Sequence, residues 1–125
     1  MQHELPSRRE SVTQKLVIHG ESGKTSLYIT VSNDSGGRIQ EAFISVEKTG
    51  ATERAYVDVV SRYLSRELQR GVSLEDALAP CEIKGYPIGA ITGYPGLGFC
   101  RGYLDCARKY LLKYQEELNA KAAQA

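Results

Sequence analysis

The hydrophobic periodicity of this 125-residue chain changes once along its length, and that change limits the folds it can adopt. The first part contains short β-branched or alternating segments, which predict strands. These segments are 15–18, 27–31 and 40–46. In the second part apolar residues recur at helical spacing, which predicts long helices over 53–71 and from about 99 to 119. The sequence therefore predicts an α+β fold in which a three-stranded antiparallel meander packs against two long helices.

Turn and capping signals locate the ends of these elements. Residues 20–23 predict a hairpin connection, and the Asn- and Gly-rich segment 33–37 predicts a tight turn before the third strand. Thr52 is the predicted N-cap of the first long helix, and Gly71 is the predicted stop after it. Ser73 is predicted to cap a short middle helix, so the predicted order is β-β-β-α-α-α.

The remaining segments are predicted to be irregular. Residues 81–98 contain five Gly and two Pro, which is too many for a regular element. We expect residues 1–12 to be a polar arm, residues 13–119 to form one domain, and the Ala-rich tail 120–125 to fray.

Composition excludes several classes of partner. A net charge of +1 gives no general attraction to nucleic acid or to an anionic membrane surface. No apolar run approaches the roughly 18 residues of a membrane span, and the first residues do not resemble a signal peptide. Cys81, Cys100 and Cys106 form no CxxC pair, so neither a zinc site nor a disulfide framework is predicted. We expect a cytoplasmic protein with reduced thiols and no metal or other cofactor.

Several potential catalytic motifs have simpler interpretations. Gly23-Lys24-Thr25 matches the end of a P-loop, but Ile18 occupies the position of its first Gly, and strands are predicted on both sides. His19 is the only His outside the terminal arm and is predicted to be solvated or hydrogen-bonded. Three helical carboxylates are predicted to lie on solvated faces rather than to act as an acid and a base. They are Asp58, Glu67 and Asp105.

The segment 81–101 is the best candidate for a binding site. Its Gly residues allow a backbone to approach a ligand, its Tyr residues can stack on a base, and it leads into a helix N-terminus, which favours anions. The candidate ligand-binding residues are Tyr86, Thr92, Tyr94, Arg101, Arg108, Lys84 and Arg54. In this hypothesis the tyrosines stack, Thr92 donates a hydrogen bond and the arginines pair with phosphate. The alternative is a packed loop in which Gly and Pro only shape the chain.

Several segments, taken in order, resemble a known domain. They are Leu5–Arg9, Thr13–Lys15, Gly37–Ile44, Lys48–Ala51, Leu64–Val72 and Thr92–Gly96. Together, over about residues 5–114, the chain resembles the C-terminal TSCPD-type domain of adenosylcobalamin-dependent (class II) ribonucleotide reductases. In the motif that names the domain, Thr92 and Pro95 match, whereas Gly93, Tyr94 and Gly96 replace Ser, Cys and Asp. A thiol or carboxylate role of that motif is therefore not expected here.

Two functional hypotheses remain for a free-standing copy of such a domain. A chain of 125 residues cannot contain the reductase barrel, so the resemblance does not imply reductase activity. The first hypothesis is a non-catalytic module that holds a nucleotide or a nucleotide-derived cyclic signal, by analogy with phage sequestering proteins such as the anti-Thoeris proteins. The alternative is an accessory or C-terminal piece of a split reductase that acts on its catalytic subunit. We also expect a homo-oligomer, because the predicted sheet has open edges.

Overall fold

The computed structural model describes residues 10–21, 23–47 and 49–124, and it confirms the α+β fold. The elements are β1 (Val12–Gly20), β2 (Gly23–Asn33), β3 (Ile39–Val46), α1 (Ala51–Gln69), α2 (Leu74–Leu78), β4 (Gly89–Thr92), β5 (Phe99–Cys100) and α3 (Tyr103–Gln124). The five strands form one antiparallel sheet in the order β3-β2-β1-β4-β5. Most of the predicted arm, residues 1–9, lies outside the described residues.

The predicted meander is confirmed in β1, β2 and β3. The hairpin between β1 and β2 closes at the pair Gly20 and Gly23, and β2 begins where a P-loop would need a helix. The turn before β3 is held by Asp34, whose Oδ1 accepts the N–H groups of Gly36 and Arg38, both at 3.0 Å. A short polar side chain that bonds the backbone two residues ahead is typical of such turns.

The prediction that residues 81–98 contain no regular element is wrong. β4 pairs with β1, and β5 pairs with β4. Glycine makes the first pairing possible, because a Cβ at Gly89 would lie only 2.6 Å from Ile18 Cγ2. The same is true just after β4, where Gly93 has φ of +104° and a Cβ there would lie 2.6 Å from the Lys15 carbonyl oxygen. The glycines that suggested a loop therefore allow the strand to approach its neighbour.

Helix ends follow the sequence signals in part. Gly71 ends α1 as predicted, with φ of +94° and its N–H donating to the Leu68 carbonyl. Ser73 caps α2 as predicted, since its Oγ accepts the Asp76 N–H at 3.1 Å. The Thr52 prediction is wrong, because α1 begins at Ala51 and its N-cap is Gly50, which makes no side-chain cap.

The predicted start of the last helix at Phe99 is also wrong. Phe99 and Cys100 pair with β4, and Gly102 has φ of +92°, so α3 begins only at Tyr103. It then continues through Gln124, past the predicted end at Asn119. None of the helices that the structure describes is long and apolar enough to cross a membrane.

The helices cover the sheet and also close its β3 edge. Buried residues from strands and helices share one core, which includes Leu16, Leu27, Ile29, Tyr110 and Leu111. Along β3, Ser61 Oγ accepts the N–H of Ile44 at 2.9 Å. Ser65 Oγ accepts the N–H of Ala42 at 3.0 Å and donates to the carbonyl of the same residue at 3.1 Å. We call this contact between α1 and β3 the serine seam, and it takes the place of an open strand edge.

Candidate anion-binding groove

A groove of about 410 Å³ lies where the loop after Cys81, strand β5 and the first turns of α3 meet. Its charged lining residues are Lys84, Arg101, Arg108, Lys109, Glu82 and Asp105. Four cations face two carboxylates, so the lining of the groove has more positive than negative side chains even though the whole chain is nearly neutral. The local excess of positive charge comes from the 81–101 segment together with the helix that follows it.

Asp105 is the fixed centre of the groove. Its side chain is buried, its Oδ2 accepts the backbone N–H of Arg101 at 2.8 Å, and its Oδ1 accepts Arg108 Nε at 3.2 Å and a terminal nitrogen of Arg108 at 3.0 Å. The prediction of a solvated Asp105 is therefore wrong. Because α3 begins at Tyr103, position 105 falls in the first turn, where the carboxylate reaches back toward β5.

This contact changes how the groove can hold an anion. The sequence predicted that the helix N-terminus would bind phosphate through its backbone N–H groups. The carboxylate of Asp105 already occupies that end of the helix and compensates its dipole. A bound phosphate would therefore contact the side-chain cations of the groove rather than the helix terminus.

The other cations are held weakly or not at all. Arg101 donates from one terminal nitrogen to the Tyr86 carbonyl at 2.8 Å, and Lys109 Nζ donates to the Phe99 carbonyl. Lys84 is exposed and makes no ion pair within the described part of the chain. A carbonyl is a neutral acceptor, so the charges of Arg101, Lys109 and Lys84 remain available to a ligand.

Tyr86 lies beside the groove rather than inside it. It lines an adjoining hollow of about 350 Å³ with Pro87 and Tyr103, and Ile88 lines both spaces. The Tyr86 side chain is about half exposed, and its ring lies against Gly102, where an added Cβ would come within 3.4 Å of the ring. Burial and the charge of Glu53 raise the pKa of the Tyr103 hydroxyl in the same hollow.

Three predicted site residues lie elsewhere. Thr92 Oγ1 hydrogen-bonds His19 Nε2 at 2.8 Å across β1 and β4, which agrees with the prediction of a hydrogen-bonded His19. Tyr94 hydrogen-bonds Glu117, and burial together with that bond raises the Tyr94 pKa to about 12. Arg54 is exposed on α1 and lines a separate hollow over β3. The structure thus groups Lys84, Arg101 and Arg108, with Tyr86 adjacent.

Lys109 is the groove residue that the sequence analysis missed. Asp105 follows Arg101 by four residues, and residues 108 and 109 follow Asp105 by three and four residues. These spacings place the four side chains on one side of the turn and the helix. That pattern was visible in the sequence.

All three cysteines are buried, and one of them, Cys100, lines the groove. Cys106 donates a hydrogen bond to Cys100, which lowers the pKa of the Cys100 thiol and raises that of Cys106. Burial raises the pKa of the Cys81 thiol. All three are free thiols, and Cys100 is only 1% exposed although it lines the groove. A buried thiol is a poor nucleophile for an external substrate.

The turn after β4 packs against its surroundings and carries neither a thiol nor a carboxylate. Gly93 accepts a hydrogen bond from Gln14 Nε2 at 2.9 Å, and Gly96 has φ of +85°. Tyr94 packs edge-on against Tyr110 with ring centroids 5.2 Å apart. The three positions that depart from the motif of the resembled domain therefore serve the packing of this turn.

Comparison with known proteins confirms the resemblance. The sequence matches the TSCPD domain family over residues 2–102. It is 28% identical over 102 residues to the vitamin B12-dependent ribonucleotide reductase of Bradyrhizobium diazoefficiens and 31% identical over 102 residues to that of Agrobacterium fabrum. Each match covers 81% of this chain and 8% of the relative, so the chain spans less than a tenth of the length of these curated relatives. No solved structure matches significantly. The chain belongs to the TSCPD domain family.

Proposed function

We propose that this TSCPD domain is a non-catalytic module that binds a phosphate-bearing nucleotide or a nucleotide-derived cyclic signal in the groove. The observation that carries the proposal is the convergence of four cationic side chains on one groove, two of them held only by neutral carbonyls. In this arrangement Lys84, Arg101 and Lys109 contact phosphate. Arg108 stays on Asp105.

The size and surroundings of the groove support a nucleotide rather than a bare phosphate. Ligand pockets for small molecules typically measure about 300–1,000 Å³, and the groove of about 410 Å³ adjoins a second hollow. Ile88 lines both spaces, and the half-exposed Tyr86 lines the second. A nucleotide with its phosphates among the cations would place its base over Tyr86, whose flat ring can stack on it.

The same geometry supports binding without turnover. Asp105 already accepts three hydrogen bonds and is not free to act as a general base, and Cys100 is buried. No group of three or more potential metal ligands occurs in the described ranges of the chain. A ligand released intact is the behaviour expected of a sequestering protein, and the phage anti-defence role is one setting for such a protein.

Calorimetric titration with ATP, cyclic di-AMP and pyrophosphate tests this proposal. We expect binding that weakens with salt and that falls about a hundredfold or more in Lys84→Ala/Arg101→Ala, because each of the two charge-assisted contacts is worth roughly 1.5–3 kcal/mol. Arg54→Ala is the matched control, since it removes an exposed cation outside the groove. ATP or cyclic di-AMP recovered chemically unchanged after long incubation supports sequestration. Absence of binding to all three probes, or equal loss in the control, contradicts the groove as a ligand site.

A second candidate function follows from the comparisons. In the two curated relatives the matched region is 8% of a protein named as a vitamin B12-dependent ribonucleotide reductase. We therefore also propose that this domain associates with a reductase catalytic subunit. The test mixes the chain with a relative's reductase that lacks its own matched region. Co-elution in gel filtration together with no nucleotide binding favours this function over the first.

A further inference from the structure

Helix α1 carries an apolar stripe on its outer face, away from the groove. The stripe consists of Tyr56, Val59 and Tyr63, which are 68%, 38% and 63% exposed. Spacings of three and four residues place them on one side of the helix. The opposite side already buries Val57 and Leu64 in the core. An amphipathic surface helix needs no apolar residues on its outer face, so the stripe indicates a contact surface.

The shape of the stripe matches helix packing. A hollow of about 230 Å³ on α1 is bounded by Val59, Arg62, Tyr63 and Arg66. Residues at positions i, i+3, i+4 and i+7 form the four-sided hole that receives one side chain of a facing helix in knobs-into-holes packing. Tyr56 lies one turn before this hole, and its exposed ring is the right kind of side chain to fill such a hole on another helix.

We propose that the occupant is a second copy of this chain, whose α1 packs antiparallel on the first. With the two-fold axis near Val59, Tyr56 of one copy enters the hole of the other copy, between Arg62 and Arg66. The contact is self-complementary, so one two-fold axis places Tyr56 of each copy in the hole of the other copy. An aromatic ring between two guanidinium groups gains cation–π attraction in addition to the buried apolar area.

The charges on α1 favour this antiparallel arrangement. Arg62 and Asp58 form an ion pair at 3.3 Å, and both side chains are more than 60% exposed on the flank of the stripe. In an antiparallel pair, the flank of α1 that carries Asp58 and Arg62 lies against the same flank of the other copy. Asp58 of each copy then comes near Arg62 of the other, so charges of opposite sign alternate along the contact. The helix dipoles also oppose each other. A parallel pair would instead set Arg62 and Arg66 against their own copies.

The structure also removes a competing route to self-association. The open-edge argument for an oligomer is weakened at β3, because the serine seam bonds the N–H and carbonyl of Ala42 and the N–H of Ile44. The other edge, β5, has only two residues, and the Phe99 carbonyl accepts Lys109. The α1 stripe therefore replaces the sheet edges as the expected contact between copies.

Sedimentation velocity over a wide concentration range tests the proposal. We expect the wild-type chain to shift from a 13.8 kDa monomer toward twice that mass between about 1 µM and about 1 mM, the range of a small interface. Val59→Glu should stay monomeric throughout, because two buried carboxylates would face each other at the axis. Val12→Glu is the control, since Val12 is about as exposed as Val59, at 44%, but lies on β1. A monomeric wild type, or loss of the dimer in the control alone, overturns the proposal.

A crosslinking measurement tests the axis directly. Val59→Cys should form an intermolecular disulfide readily on oxidation, since the two copies of residue 59 meet near the axis, while the three native thiols are buried. Val12→Cys, at an exposed position on β1, should crosslink far more slowly. Equal rates for the two variants contradict the α1 contact. So does a wild type that binds a reductase catalytic chain through α1 and never itself.

Discussion

The serine seam and the groove are two places where a helix meets the end or edge of a strand, and they use polar groups in opposite ways. In the seam, neutral hydroxyls of Ser61 and Ser65 bond the backbone of β3 and are buried. In the groove, charged side chains of α3 and its preceding loop surround a partly open space. The seam is closed because each hydroxyl has a fixed partner, whereas most groove cations keep donors to spare.

The same difference distinguishes a structural residue of the groove from the residues proposed to bind a ligand. Asp105 resembles the seam, because it is buried and all its hydrogen bonds go to fixed partners. Arg101 and Lys109 hold single carbonyls, and Lys84 is exposed. Mutations at Asp105 should therefore act on folding, and mutations at the exposed cations should act on ligand affinity. Asp105→Ala and Arg101→Ala test that division.

Asp105→Ala should have the largest effect on stability. It leaves the largely buried Arg108 without its carboxylate and removes the acceptor of the Arg101 N–H, so we expect a loss of about 3–5 kcal/mol in the free energy of unfolding. Urea denaturation measures the loss. Asp58→Ala is the control, because its ion pair with Arg62 is exposed and should cost less than about 1 kcal/mol. Equal losses of stability in the two variants would mean that Asp105 is not a structural residue distinct from the other charged residues of the groove.

Ser65→Ala should destabilise the protein by about 1–3 kcal/mol, which is the cost of leaving a buried backbone group without a partner. One hydroxyl serves both the N–H and the carbonyl of Ala42, and a methyl group cannot replace it. Ser45→Ala, at an exposed position of the same strand β3, should be nearly neutral. The same urea titration compares them. If Ser65→Ala is as mild as its control, then water reaches the β3 edge and the seam is not closed.

The seam also shows which features of the fold the sequence predicts and which it does not. The three strands and the two long helices follow from hydrophobic periodicity. Burial of one face imposes a regular repeat of apolar residues, and a few exceptions do not obscure that repeat. The serines gave no signal of their own, since Ser within a helix usually faces water or bonds its own backbone. Their role appears only when α1 is placed along β3, a contact between distant parts of the chain.

The groove was predicted in part for a similar reason. Arg101 and Arg108 were found because segment 81–101 is unusual in composition and precedes a helix. The two-residue strand β5 was missed, since no periodicity exists in two residues, and with it the helix start at Tyr103. With the helix start at Tyr103, Asp105 falls in the first turn of α3, where its carboxylate accepts the Arg101 N–H. Thr92 and Tyr94 were assigned to the site by chain position, but the β4 pairing carries them away from it.

Arg101→Ala tests whether this cation acts on ligand affinity rather than on folding. We expect the affinity for ATP to fall about tenfold, about 1.4 kcal/mol in binding free energy, with less than about 0.5 kcal/mol lost in stability. The guanidinium donates only to the Tyr86 carbonyl, and that carbonyl lies on an exposed residue that water can solvate. Calorimetry and urea denaturation on the same preparation give both values. A stability loss like that of Asp105→Ala, without a loss of affinity, would make Arg101 a structural residue.

Tyr94→Phe should have the smallest effect at neutral pH and the clearest pH dependence. Burial and the bond to Glu117 raise the Tyr94 pKa from 10 to about 12, so the folded state favours the protonated hydroxyl. The contribution of that hydroxyl to stability is complete below pH 10 and is lost as the pH rises toward 12. Removal of the hydroxyl should cost roughly 0.5–1 kcal/mol at pH 7. The stability difference between wild type and Tyr94→Phe should then shrink in thermal unfolding at alkaline pH. A difference that stays constant up to pH 12 would mean that Tyr94 stabilises the turn through its ring alone.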